Sequence, residues 1–149
     1  MYTGRWSIRI HAGRKKVWDT MLGDRSYREW TKVFTEGSYY EGSWKQGSEI
    51  HFLAPDGSGE LQGMFSRIKE NIEHEFLSIE HLGMISNGVI DTTSEKVKTW
   101  APAFENYTFT SHGSSTELVV EMQLDDEHRA MFDDLWPKAL ATLKNLCEA

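Results

Sequence analysis

The stretch Trp100–Met122, WAPAFENYTFTSHGSSTELVVEM, constrains the fold of this chain more than any other part of it. Two runs of alternating apolar and polar residues flank His112-Gly113-Ser114-Ser115, where glycine and serine favour a turn. The pattern predicts a hairpin in which Asn106–Ser111 pairs with Glu117–Leu124. Leu118, Val120, Met122 and Leu124 fall on one face of its second strand, with Glu117, Glu121 and Gln123 on the other. The period then changes to a helical one. Phe132, Leu135, Trp136, Ala139, Leu143 and Leu146 share one face of a helix that runs nearly to the C-terminus, and Asp125 or Asp126 can cap its start. Pro137 lies inside this helix and is expected to kink it, because proline removes a hydrogen bond and crowds the preceding turn. Strands followed by one long amphipathic helix imply a sheet wrapped around that helix, a shape that encloses a cavity.

The N-terminal half supplies the rest of such a sheet. Trp6, Ile8 and Ile10 alternate with Arg5, Ser7 and Arg9 in a half-buried strand that Gly13 ends. Val17, Trp18, Met21 and Leu22 recur at helical spacing up to Gly23-Asp24, and Asp24 or Ser26 can cap a second short helix through Trp30. From Thr35 to Gly83 the pattern is that of strands: Ser38–Glu41 and Glu49–Leu53 around a turn at Lys45-Gln46-Gly47, then Leu61–Ile68 and Phe76–Leu82. Pro55-Asp56-Gly57-Ser58-Gly59 and Asn71–His74 supply the intervening turns. Gly83–Lys98 has little periodicity and is expected to be a long surface loop with a short helical piece, placed as a lid on the cavity. With no internal repeat and no linker, residues 1–149 are expected to form one α+β domain.

Charge and composition exclude several classes of function. The net charge is −7, and no basic stripe exists beyond Arg14-Lys15-Lys16, which argues against a nucleic-acid partner. No segment approaches the roughly 20 apolar residues that span a bilayer, and the N-terminus has no secretory pattern, so membrane insertion is not expected. Cys147 is the single cysteine, so no intramolecular disulfide can form and a cytoplasmic location is expected. Six tryptophans and an aromatic share of 12% suit the wall of an apolar pocket.

Few motifs carry chemistry. His11, His51, His74, His81, His112 and His128 show no metal-ligand spacing, and no nucleophile-elbow, P-loop or dinucleotide motif is present. No metal, cofactor or catalytic residue is therefore assigned. Glu73 and Glu75 around His74 read as a polar turn, and Asp125-Asp126-Glu127 as helix capping. His81 is different, because it shares a strand face with Leu77 and Ile79. There it is a polar group in an apolar pocket, able to orient a ligand or act as a base, or else a hydrogen-bonded core histidine or a strand-end residue touching water. Trp30, Phe52, Phe65, Tyr107 and Trp136 complete the candidate ligand-binding set, each with plain core packing as its alternative. A one-residue slip of register would turn any of the strand residues outward.

These residues also carry a resemblance. Ile8-Arg9-Ile10-His11-Ala12 before Lys16-Val17-Trp18-Asp19, Trp30, Gly42-Ser43-Trp44-Lys45-Gln46-Gly47-Ser48, Glu105-Asn106-Tyr107-Thr108, Gly113 to Leu118, and Trp136 with Leu140 and Leu143 occur in a familiar order. In it the chain resembles the START-like (SRPBCC) superfamily, and within that the branch similar to the C-terminal domain of chaperone-ATPase activators (AHSA type). Gly13 departs from the pattern, which usually has proline there. The resemblance implies a helix-grip fold: a curved antiparallel sheet of about six to seven strands around a long C-terminal helix. It also implies a cavity for a hydrophobic or aromatic small molecule. The alternatives are a chaperone-associated interaction domain and, third, a cyclase- or hydrolase-type enzyme using the same cavity.

Overall fold

The alternation that opens the chain forms β1 (Tyr2–Ile10), and the computed structural model describes every residue from Met1 to Ala149. Two short helices follow, α1 (Arg14–Leu22) and α2 (Asp24–Thr31). Then come β2 (Tyr39–Gly42), β3 (Glu49–Pro55), β4 (Leu61–Ile72), β5 (Phe76–Ser86) and β6 (Val89–Asp91). A one-turn helix α3 (Glu95–Lys98), β7 (Ala103–His112), β8 (Ser115–Leu124), a 3₁₀ turn at Asp126–His128 and the long helix α4 (Arg129–Glu148) complete the chain. The sheet is antiparallel throughout, in the order β1-β8-β7-β5-β4-β3-β2, with β6 paired to β5 beyond the end of β7.

The hairpin predicted at Trp100–Met122 is β7–β8. His112 pairs with Ser115, leaving Gly113-Ser114 as a two-residue loop in which Gly113 has φ +62°. That backbone suits glycine and matches the twist of the flanking strands. The register places Tyr107 opposite Val120 and Phe109 opposite Leu118, on the concave face. β1 joins on the other side of β8, with Trp6 opposite Val120 and Ile8 opposite Leu118.

Helix α4 lies in the hollow of the sheet. Trp136, Ala139, Leu140, Leu143 and Cys147 are buried against a core that includes Ile10, Leu77, Ile79, Leu118 and Val120. The helix is continuous through Pro137, whose ring faces solvent. Two irregularities in the β4–β5 pairing, at Phe65/Ser66 and Ile68/Glu70, add the local bend that curls the sheet around α4. Leu82 on β5 and Lys69 on β4 are the unpaired residues of these two bulges.

Three local expectations are corrected. Gly83–Lys98 is not a long loop: Gly83–Ser86 extends β5, the chain turns at Asn87-Gly88, and Val89–Asp91 pairs back as β6. Only Glu95–Lys98 is helical, with Ser94 Oγ accepting from the Val97 N–H as its cap. Helix α2 is capped at Gly23 with no side-chain cap bond, so neither Asp24 nor Ser26 has that role; Ser26 Oγ instead donates to the Gly23 carbonyl. β4 runs on to Ile72, and its turn is carried by Glu73–Glu75 with His74 at φ +65°.

Candidate functional site

The curl of the sheet leaves a cavity of about 780 Å³ between its concave face, α2 and the N-terminal half of α4. Twenty of its thirty lining residues are hydrophobic, so its interior is apolar. Aromatic rings form one wall. Tyr27 packs edge-on to Trp30 and Tyr40 at 5.6 and 5.0 Å, Phe34 packs edge-on to Trp136 at 4.9 Å, and Trp136 lies 6.1 Å from both Trp30 and Tyr107. Polar ends tie this wall to the α1–α2 corner. Trp30 Nε1 donates to the Met21 carbonyl, while the Tyr40 hydroxyl and Trp44 Nε1 both donate to the Leu22 carbonyl. They satisfy carbonyls that the end of α1 would otherwise leave open.

Five of the six predicted residues line this cavity: Trp30, Phe52, His81, Tyr107 and Trp136. Phe65 does not. The β3–β4 register sets Phe52 opposite Met64 and His51 opposite Phe65, so Met64 takes the inner face. Phe65 packs against His51 on the outer face, with ring centres 5.4 Å apart. Of the segment expected to be a lid, Lys96 lies at the cavity, as do Thr99 and Trp100 just after that segment, beside Asp125, Glu127 and His128 at the exposed rim.

Polar groups cross the apolar floor in a connected line. His81 Nδ1 lies 2.7 Å from Ser66 Oγ, and His81 Nε2 lies 2.9 Å from Glu105 Oε1. The other carboxylate oxygen, Glu105 Oε2, accepts the Tyr107 hydroxyl. With the imidazole proton on Nε2, facing the carboxylate, Ser66 donates to Nδ1 and every member has a partner. Burial, reinforced by the Glu105 charge, pushes the phenols of both Tyr27 and Tyr107 well above the ordinary tyrosine range. Both therefore remain O–H groups at any physiological pH.

Ser66, His81 and Glu105 have the donor order of a serine–histidine–acid triad. Ser66 is fully buried, however, and does not line the cavity, so its hydroxyl holds the imidazole rather than facing a substrate. Glu105 lines the cavity although it lies outside the candidate set read from the sequence. It stands two positions before Tyr107 on the same strand and so shares its face, which is the signal that could have found it. Trp136 Nε1 is buried with no hydrogen-bond partner, which leaves one donor in the cavity wall free for an acceptor.

Elsewhere the chemistry is quiet. The rim residues Asp125, Glu127 and His128 offer three ligand atoms within 4.8 Å of one another. Asp125 Oδ1 is already engaged, accepting from the His128 backbone N–H at 3.1 Å and lying 2.6 Å from its Nδ1; it caps the 3₁₀ turn rather than α4, whose own N-cap, His128, makes no side-chain cap bond. Cys147 is on the buried face of α4, and burial pushes its thiol above the ordinary value, away from a reactive thiolate. No helix is long and apolar enough to cross a membrane.

The architecture is an α+β helix-grip fold, and solved structures share it across the whole chain. An Aha1 dimer from Colwellia psychrerythraea, known as a solution structure, is 16% identical, with 99% of this chain and 97% of that chain covered at a TM-score of 0.73. A protein from Nitrosomonas europaea is 11% identical, with coverage of 98% and 94% and a TM-score of 0.73. CalU16 from Micromonospora echinospora is 15% identical, with coverage of 95% and 71% and a TM-score of 0.64. At these identities the likeness is one of fold. No protein-family model matches the chain, and no curated protein matches its sequence.

Proposed function

We propose that this protein binds a hydrophobic or aromatic small molecule in the cavity between its sheet and α4. The observation that carries this reading is the cavity itself: about 780 Å³, walled by aromatic rings, with a few convergent polar groups on its floor. Small-molecule sites have this size and this mixture, at roughly 300–1,000 Å³. A domain that needed only a core would gain stability by filling such a volume, since empty apolar space forfeits packing. Native mass spectrometry of the protein isolated from its own host should show an adduct that is lost on denaturation. An apolar fluorescent dye should also bind in the cavity, and Met84→Trp, which places an indole in that space, should weaken the dye.

The second reading is a chaperone-associated interaction domain, and its support is the fold likeness to the Aha1 dimer. The two separate cleanly. Protein that carries no adduct, binds no dye and captures a purified chaperone would move the assignment to the second reading.

A further inference from the structure

The cavity floor holds one group that an apolar ligand alone does not explain. Glu105 lies on β7 between cross-strand neighbours Ile79 and Met122, and its side chain is only 16% exposed. A carboxylate in such a place is costly unless its oxygens are satisfied. Two donors reach it, from His81 and Tyr107, whereas a carboxylate offers about four acceptor positions. No arginine lines the cavity, and the cations that do, Lys96 on α3 and the Met1 ammonium, are exposed at the rim beside Asp125 and Glu127, away from the floor. Arg67, the nearest guanidinium in the pairing of β4 with β5, points to the opposite face and is bound to Glu80 at 2.5 Å. Aromatic residues adjoin the Glu105–His81 pair: the Tyr107 hydroxyl is bonded to Glu105, Phe52 packs edge-on to His81 at 5.9 Å, and Tyr27 is near enough that the Glu105 charge acts on its phenol.

We infer that the ligand is an aromatic or hydrophobic molecule bearing a protonated amine, seated with its cationic nitrogen on Glu105 and its apolar body among the rings. A buried carboxylate with spare acceptor positions takes the N–H groups of an ammonium as charge-assisted hydrogen bonds. Where such a cation also meets the face of a neighbouring ring, cation–π attraction adds to this, most strongly where water is excluded. An organic anion meets the opposite: repulsion from Glu105 and no fixed cation on the floor to offset its desolvation. This inference rests on the cavity being a ligand site.

Three probes with one indole body separate the possibilities: tryptamine, tryptophol and indoleacetate carry a cationic, a neutral and an anionic head. Isothermal calorimetry at neutral pH should give the order tryptamine, then tryptophol, then indoleacetate, with the first preference about tenfold or more. In Glu105→Gln, which keeps shape and removes charge, that preference should fall to within about threefold. Glu121→Gln, an exposed change of the same charge on the outer face of β8, should leave it intact. The preference in the wild-type protein is informative even if Glu105→Gln fails to fold. Equal binding of the three probes, or tightest binding of indoleacetate, overturns the cationic-ligand assignment while leaving a ligand cavity in place. No binding of any probe by a protein that also refuses an apolar dye overturns both.

Discussion

Tyr107 is 3% exposed and donates a hydrogen bond from its hydroxyl to Glu105, and Tyr27 packs among four other rings. Both phenols titrate above the value of 10.0 that they have in an unfolded chain. For a group with a raised folded pKa, the unfolded chain loses its proton first, so stability is held below about pH 10 and declines as pH rises beyond it. Urea unfolding midpoints measured from about pH 8 to about pH 11 should therefore be level and then fall. Tyr27→Phe should flatten the alkaline fall, because it removes one such phenol without removing a ring. Tyr107→Phe should flatten it too, but at a cost of about 1–3 kcal/mol across the whole range, since it deprives a buried carboxylate of a donor. An alkaline fall unchanged in both variants would show that neither phenol is held protonated by the fold. These residues also mark how far single positions were legible. Tyr107 and His81 were readable from a two-residue period and a neighbouring apolar face. Glu105 carried the same period, but a charged residue on an apolar face invites assignment to the other side. Phe65 misled because Met64 and Phe65 are both apolar, so only the pairing with β3 decides which of them faces in.

At the scale of elements, β1 and α4 hold the sheet closed. The Trp6 indole stacks on Trp136 at 5.8 Å and 23°, and its Nε1 donates to Asp133 Oδ1 on the same helix. Gly4, two residues earlier on the same face, makes room: a Cβ there would meet the Trp6 ring at 2.2 Å. Gly4→Ala should push the indole off Trp136, at a cost of about 1–3 kcal/mol typical of overpacking. Near-ultraviolet circular dichroism should lose part of the stacked-tryptophan signal while far-ultraviolet ellipticity is kept. An unchanged aromatic spectrum would mean that the stack does not fix the position of β1 on α4. Elements of this length are legible because each spans several of its own periods: nine residues of alternation in β1, twenty residues of helix in α4. The segment from Gly83 to Lys98 fails for the converse reason. β6 has three residues, two of them exposed apolar side chains, and α3 is a single turn, so neither repeats often enough to declare its period.

For the molecule as a whole, the order of elements foretold a sheet gripping a helix, but not the volume left between them. That volume depends on the β4–β5 bulges and on where the aromatic wall stops, which are matters of register and side-chain shape rather than of pattern. The closed side of the grip is continuous: β1, β8, β7 and the C-terminal half of α4 carry Ile10, Leu118, Val120, Phe109, Leu140 and Leu143, each no more than 2% exposed. The open side is made of small elements, α3, the 3₁₀ turn and the first turn of α4, whose residues are mostly exposed. Few buried contacts mean low local stability, so these elements are expected to open before the sheet does. A ligand held in the cavity contacts both sides, and stabilises the native state by mass action: about 2.7 kcal/mol at a hundredfold excess over its Kd. For a chain of this size that corresponds to a rise in Tm of roughly 5–10 °C. Hydrogen exchange should then slow chiefly at Ser94–Trp100 and Asp125–Phe132, with little change in the β7–β8 strands until global unfolding. A ligand that raised Tm while leaving exchange at both rim segments unaltered would be binding somewhere other than this cavity.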